Sequence, residues 1–168
     1  KTPEALAWFA YVVNHISDKT GIDGRLMNEI DLSGTQQGWS TTALPWIPIG
    51  VIDSCEYIGI FDGCGYSVHY LALDGELVGN RYGTGAYVGL FGAIRGNKIK
   101  NIRLEEVSGT GAIAWGYIAG VVGVAYDNYL IEGCGVESGS LTGGVVGGVL
   151  CESRGKGTVL KCYNKSDV

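Results

Sequence analysis

The sequence is poor in charge and proline, and each shortage excludes a class of protein. Only 17% of the 168 residues are charged while 46% are apolar, and this balance favours a folded chain over a disordered one. Three prolines stand beside 29 glycines with no Gly-X-Y period, which excludes collagen. What remains is a folded domain with an unusual excess of glycine.

Basic residues are also scarce, and the net charge of −5 disfavours nucleic acid as a partner, because phosphate binding needs a basic stripe. The local basic residues are Arg95, Lys98, Lys100 and Arg103. Glu105 and Glu106 follow them directly, so we interpret this segment as a solvated face.

The residues of common catalytic and metal sites are missing or badly spaced. The five cysteines show no CxxC spacing, and His15 and His69, the two histidines, have no marked Ser or Cys partner. The HExxH, GxSxG, P-loop and GxGxxG motifs are absent. We therefore expect no catalytic residue, no cofactor and no metal.

A long apolar run is the last candidate to exclude. Residues 107–126 carry no charge and approach the length that spans a membrane. Glycines dilute the run, however, and it aligns with a repeat that carries charges. We expect no transmembrane span.

The lead-in, residues 1–50, predicts a helix and a strand. Thr2 is a suitable N-cap and Pro3 suits the first helical position. An apolar stripe then predicts a helix that ends near Asn14. Alternating residues 25–32 predict a strand, and residues 46–50 close the segment.

The rest of the chain, residues 51–168, contains four glycine-rich repeats. Their first halves are 57–62, 87–92, 118–123 and 142–147, anchored on Gly59, Gly89, Gly120 and Gly144. Their second halves share a four-residue frame, namely Val68-x-x-Leu71, Ile99-x-x-Ile102, Ile131-x-x-Cys134 and Val159-x-x-Cys162. Regular repeats of this length are typical of solenoids.

The repeats contain strand and turn signals but no long helical period. A unit of this size fits three short strands and three turns, so we predict a mainly β fold, a β-helix-like solenoid of about four coils. The amphipathic N-terminal helix is suited to cap its first end. Residues 1–168 then form a single repeat domain, and we expect it to be a fragment of a longer protein.

The ordered motifs carry a resemblance to a known family. The segments 89–92, 120–123 and 144–147, with residues 2–14, 30–32, 46–50 and 61–66 before them, resemble the GLUG motif repeats of bacterial secreted and cell-surface proteins. Asp62 departs from the motif, since it stands where the last glycine belongs. The resemblance implies a β-helix-like domain of exported adhesin-like proteins or of non-catalytic regions of immunoglobulin A1 protease-like proteins.

The second frame predicts two buried ladders across the coils. They are Val68, Ile99, Ile131 and Val159, and Leu71, Ile102, Cys134 and Cys162. A Cys134–Cys162 disulfide is disfavoured because stacked side chains point in parallel directions, and Cys55–Cys64 is the better candidate.

Few residues suggest a binding site. Asp62 resembles an acid of β-helix glycosidases, although Asp-Gly is also a turn signal and no partner acid recurs one coil away. Trp46 fits a packing role where the lead-in meets the first coil. Trp115 is the aromatic residue that we expect on the surface as a ligand contact.

We therefore expect a non-catalytic structural or binding module of an exported bacterial surface protein, acting as a stalk or in adhesion. Its partners would be a host or cell-surface glycan or protein and further domains of the same chain. The alternatives are a fragment of a polysaccharide-active β-helix enzyme centred on Asp62, or a non-catalytic region of a secreted immunoglobulin A1 protease-like metallopeptidase.

Overall fold

The computed structural model describes residues 2–16, 18–33, 45–51, 55–82, 87–111 and 116–168. These residues form a mainly β structure whose parallel sheets are consistent with a β-helix-like fold. In chain order the elements are α1 (Pro3–His15), β1 (Gly24–Arg25), β2 (Ile30–Asp31), β3 (Ile60–Asp62), β4 (Ser67–His69), β5 (Ala72–Asp74), α2 (Gly75–Tyr82), β6 (Tyr87–Val88), β7 (Phe91–Arg95), β8 (Lys98–Lys100), β9 (Arg103–Glu105), β10 (Val107–Thr110), β11 (Tyr117–Ala119), β12 (Val122–Tyr126), β13 (Tyr129–Glu132), β14 (Gly135–Val136), β15 (Gly139–Thr142), β16 (Val145–Gly147), β17 (Leu150–Arg154), β18 (Gly157–Leu160) and β19 (Tyr163–Asn164).

The chain visits five parallel sheets in the same order on successive passes. Sheet I is β1-β3-β8-β13-β18, sheet II is β2-β4-β9-β14-β19, sheet III is β5-β10-β15, sheet IV is β6-β11-β16 and sheet V is β7-β12-β17. A complete pass among the described residues therefore has five short strands, whereas the sequence predicted three. The sequence predicted too few strands because the strands are only two to five residues long. The turns between them are so short that composition does not separate one strand from the next.

The core lies between the sheets, where each pass contributes inward residues that stack on those of the next. In sheet I, Phe61 pairs with Ile99, Ile99 with Ile131, and Ile131 with Val159. Ile99 and Ile131 are completely buried. Burial of each such side chain contributes roughly 1.5 to 3 kcal/mol, so this row is a main source of stability.

Helix α1 begins and packs as the sequence predicts. The backbone N–H of Ala5 donates to Thr2 Oγ1 at 3.3 Å, which satisfies one of the otherwise unpaired donors of the first turn. Leu6, Ala10 and Val13 are buried against the sheets. The buried side chain of Asn14 donates to Pro48 O at 2.8 Å and accepts from Gly50 N at 2.9 Å, so the helix end is tied to the lead-in.

The predicted ladders are correct in three passes and wrong in the first. Phe61, not Val68, is the partner of Ile99. Val68 pairs with Leu104 in sheet II, and Leu71 lies one strand further along, next to β10. The shift arises because four residues separate β3 from β4 while two separate β8 from β9, so matching by sequence spacing slides the first pass out of register.

Two of the predicted glycine copies are also out of register. Residues 57–62 do not lie beside 87–92: Ile49 of the lead-in pairs with Phe91, whereas Tyr57 pairs with Ile94 further along β7. At the other end Leu150 pairs with Val122, so residues 148–151, not 144–147, lie beside Gly120–Gly123. The true spacing from Gly120 to Gly148 is 28 residues, equal to that of Ile131 to Val159.

Burial in the last pass is lower than predicted. Val159 is 46% exposed, and Cys162 is half-buried. No described strand lies beyond β18 to cover them. Two other departures are local. The single strand predicted over residues 25–32 is replaced by β1 and β2, with a break between them. Helix α2 was not predicted, because a helix of only eight residues gives a weak periodic signal.

Candidate functional site

The most distinctive surface feature lies at the corner where the chain turns from sheet I into sheet II. Asn101, Gly133 and Lys161 occupy this corner in successive passes, and all three have left-handed backbones, with φ of 54°, 63° and 54°. Such a conformation is unfavourable for a residue with a side chain. It is held here by hydrogen bonds between passes, from Asn101 N to Glu132 O and from Gly133 N to Leu160 O, both at 2.9 Å.

A groove of about 380 Å³ runs across this corner, within the size range of small-ligand sites. The two additional residues of the first corner, Cys64 and Gly65, project as one wall, and Tyr163 of the last pass stands at the opposite side. Gly133 opens the space between them because it has no side chain. The lining residues are Asp62, Cys64, Gly65, Asn101, Ile102, Arg103, Gly133 and Tyr163.

Asp62 is fixed in the groove by three contacts. Its Oδ1 accepts from Cys64 N at 2.9 Å and from Asn101 Nδ2 at 3.0 Å, and its Oδ2 lies 3.4 Å from Lys100 Nζ. Partial burial opposes ionisation, but the two hydrogen bonds and the charge of Lys100 outweigh it and hold the pKa of Asp62 below its ordinary value. Asp62 is therefore a carboxylate, an acceptor of hydrogen bonds.

Tyr163 forms the aromatic side of the groove. Its hydroxyl donates to Glu137 Oε1, while Lys165 Nζ donates to Glu137 Oε2 at 2.7 Å. Partial burial and the neighbouring carboxylate raise the pKa of Tyr163, so the phenol stays protonated near neutral pH. Its ring lies over Gly135, where an added Cβ would collide with ring carbons.

Arg103 supplies positive charge between these two sides. Its side chain is exposed, and its positive charge acts on both the Tyr163 hydroxyl and the Glu137 carboxylate. Sequence reasoning placed Arg103 in a solvated basic cluster with Arg95, but the structure separates them. Arg95 lies in sheet V and pairs with Glu56 and Asp127, each at 3.1 Å.

The other residues considered from the sequence lie elsewhere. Trp115 falls outside the described residues. Trp46 is buried, and its Nε1 donates to Leu90 O at 3.0 Å, which confirms the packing role. His69 lies 3.4 Å from Glu105 on the outer face of sheet II, and His15 stacks on Tyr11 with ring centroids 4.4 Å apart; neither histidine lines the groove.

No disulfide joins any of the five cysteines, all of which lie in described segments. The favoured Cys55–Cys64 bridge is therefore wrong: the Cys55 thiol donates to Asn14 O at 3.2 Å, whereas Cys64 lies in the corner turn beside Asp62. The Cys134 thiol donates to Glu132 O and the Cys162 thiol to Leu160 O, both at 3.4 Å. Interaction between these neighbouring thiols lowers the pKa of the more exposed Cys162 and, with burial, raises that of Cys134.

Comparisons of the chain with protein-family models, with curated proteins and with solved structures find no match. Among the described helices, none is long and apolar enough to cross a membrane. Within the same residues, no group of three or more His, Cys, Asp or Glu side chains is arranged to hold a metal ion.

Proposed function

We propose that the chain is a β-helix-like solenoid module of an exported bacterial surface protein, with a non-catalytic stalk or adhesive role. The observation that carries this proposal is the residue-by-residue register of the parallel strands through successive passes, as in the row Phe61, Ile99, Ile131 and Val159. Continuous stacking of this kind gives an elongated domain with long lateral faces, which suits both a spacer and a binding surface.

The N-terminal helix fits the role of a solenoid cap. Its buried stripe contacts the first strands, and Phe9 packs edge-on against Tyr57 and Phe61 with ring centroids 5.8 and 5.6 Å apart. Covering these strands protects their edges from pairing with other chains. The four passes of sheet I that follow β1 would then be the four coils of the domain.

Export to the bacterial surface is supported by the resemblance to GLUG repeats. Two of the three copies that carry it, 89–92 and 120–123, lie side by side, with Phe91 paired to Val122, whereas 144–147 is displaced by four residues from the equivalent place. A repeated motif that occupies the same place in neighbouring passes is what a repeat-built module requires. The corner groove adds a feature that a simple spacer does not need and favours an adhesive role.

A second candidate function, a polysaccharide-active enzyme, is favoured by one observation: Asp62 does line a groove. Glycosidic bond cleavage needs an acid whose pKa is raised so that it can donate a proton. Asp62 has the opposite shift, because Cys64, Asn101 and Lys100 all stabilise its charged form. We therefore rank binding above catalysis at this site.

The test is a glycan array combined with product analysis on the complete chain. We expect retention of glycans with no release of oligosaccharides. Release that disappears in Asp62→Ala, but persists in Asp127→Ala, would overturn the non-catalytic role. Asp127 is a suitable control because it is an exposed acid in an ion pair outside the groove.

A further inference from the structure

The corner groove has a donor and acceptor pattern that selects among ligands. Asp62 Oδ2 has a single partner, Lys100, at 3.4 Å. Asn101 uses its amide nitrogen toward Asp62, and its Oδ1 lies at the open position of Gly133, where an added Cβ would be 2.8 Å away. These two oxygens can accept hydrogen bonds from the several hydroxyl groups that a sugar ring carries.

Arg103 brings a positive charge to the groove in a protein that is negative overall. Lys100, Arg103 and Lys165 face the two carboxylates of Asp62 and Glu137, while the whole chain carries a net charge of −5. Because Asp62 is compensated by Lys100 and Glu137 by Lys165, the charge of Arg103 is the excess. An anionic group is therefore attracted to the groove next to Arg103 and repelled by the chain as a whole.

Arg103 is suited to hold a carboxylate. A guanidinium has five donors in a planar fork that matches a carboxylate in a bidentate arrangement, and Arg103 lines the groove with an exposed side chain. Tyr163 lines the groove. Its hydroxyl is fixed by Glu137, its ring lies over Gly135, and Lys165 Nζ is 5.2 Å from the ring centroid. The part of the ring that lines the groove can contact the apolar side of a pyranose.

We infer that the corner groove binds a uronic acid residue of an acidic glycan. In this arrangement Arg103 pairs with the sugar carboxylate, Asp62 and Asn101 accept from ring hydroxyls, and the ring packs on Tyr163. The inference rests on the proposed binding role and gives it a ligand class. A neutral sugar lacks the group that Arg103 binds, sulfate has no hydroxyl, and phosphate has too few hydroxyls to donate to both Asp62 and Asn101 while it pairs with Arg103.

The experiment is calorimetric titration of the complete chain with hexagalacturonate, with maltohexaose as the neutral ligand and inorganic phosphate as the simple anion. We expect binding of hexagalacturonate alone, weakened by salt. Arg103→Gln should weaken it roughly tenfold or more, as expected for loss of a charge-assisted pair. Arg95→Gln, the same change on sheet V, should leave it unchanged.

Several outcomes would overturn the inference. These are equal binding of maltohexaose, phosphate that competes with hexagalacturonate, or equal losses in the Arg103 and Arg95 variants. In case Arg103→Gln does not fold, NMR of the unaltered chain provides a second measurement: hexagalacturonate must shift the side-chain amide of Asn101 and the ring of Tyr163, and their failure to shift counts against the groove.

Failure of this inference and failure of the proposed function give different results. Glycan binding that is insensitive to Arg103→Gln removes the groove but preserves the adhesive module. Absence of any glycan binding removes the groove and the adhesive role, while the stalk role is judged by the stability of the stacked passes. Release of cleaved product from hexagalacturonate contradicts the non-catalytic function itself.

Discussion

The row of inward residues in sheet I allows a sharp test, because two of its β-branched members differ strongly in burial. Ile131 lies between Ile99 and Val159 and is completely buried, whereas Val159 is 46% exposed. Ile131→Ala leaves a cavity between two passes and should destabilise the chain by about 2 to 5 kcal/mol. Val159→Ala removes two methyl groups worth roughly 0.8 kcal/mol each when buried, so about half-burial predicts a loss below about 1 kcal/mol.

Urea titration followed by far-UV circular dichroism measures both losses in the complete chain, with equal slopes required for a direct comparison. Thermal unfolding should show the same order, with roughly 2 to 4 °C of midpoint shift for each kcal/mol in a domain of this size. Equal losses for the two variants would refute the reasoning, since they would mean that the last pass is packed as fully as the interior.

Three further predictions concern single sites. Gly50→Ala should destabilise the chain by at least about 1 kcal/mol in urea titrations, because the φ of Gly50 is +73° and an added Cβ would meet Ala93 O. Gly79→Ala should be neutral or stabilising, because Gly79 lies in α2 with open space around it. Equal effects of the two substitutions would contradict the backbone argument. Because the pKa of Asp62 is lowered in the folded chain, its charge stabilises the fold relative to Asp62→Asn. This contribution to the free energy of unfolding is complete above the unfolded-state pKa of about 3.9 and is lost as the pH falls through the lower folded value. A stability difference between the two chains that does not change with pH would disprove this. A thiol reagent at neutral pH should modify exposed Cys64 rapidly and buried Cys134 only upon unfolding. Mass spectrometry follows both reactions. Early modification of Cys134 would contradict the prediction and show that the passes open locally.

The sequence predicted those parts of the fold that depend on local chemistry. Helix α1 was found to within one residue because Thr2 and Pro3 mark its start and the apolar stripe marks its length. The stacking of Ile99 on Ile131 and Val159 was found because β-branched residues recur between short turns of constant length. Both signals lie within a few residues of the positions they specify.

Parts that depend on pairing between distant strands were missed. Gly143-Gly144 and Gly147-Gly148 offer two alignments of similar appearance, and hydrogen bonds to the neighbouring pass select the second. In the first pass the additional Cys64 and Gly65 displaced the apparent frame. Local composition cannot resolve such choices because every candidate register contains suitable glycine and valine residues.

The candidate site was not predicted as a binding site. The sequence analysis weighed Asp62 as a catalytic acid and placed Arg103 on a solvated face, and nothing joined them to Tyr163, since the three residues come from different passes and no motif connects them. The sequence indicates that Arg103 and Tyr163 are neighbours only when the register of the strands is known. Arg103 and Tyr163 then occupy equivalent positions in β9 and β19, with Gly135 of β14 between them, and the missing side chain of Gly135 makes room for the Tyr163 ring.

The separation between paired strands has a consequence for how the chain folds. The partners Ile60 and Lys98 are 38 residues apart, Lys98 and Leu130 are 32 apart, and Leu130 and Thr158 are 28 apart. Loop-closure entropy changes by only about 0.3 kcal/mol over this range. No pass is therefore an obligatory nucleus on entropic grounds, and ordered structure can grow or retreat by one pass at a time, with unfolding expected to start from the exposed last pass.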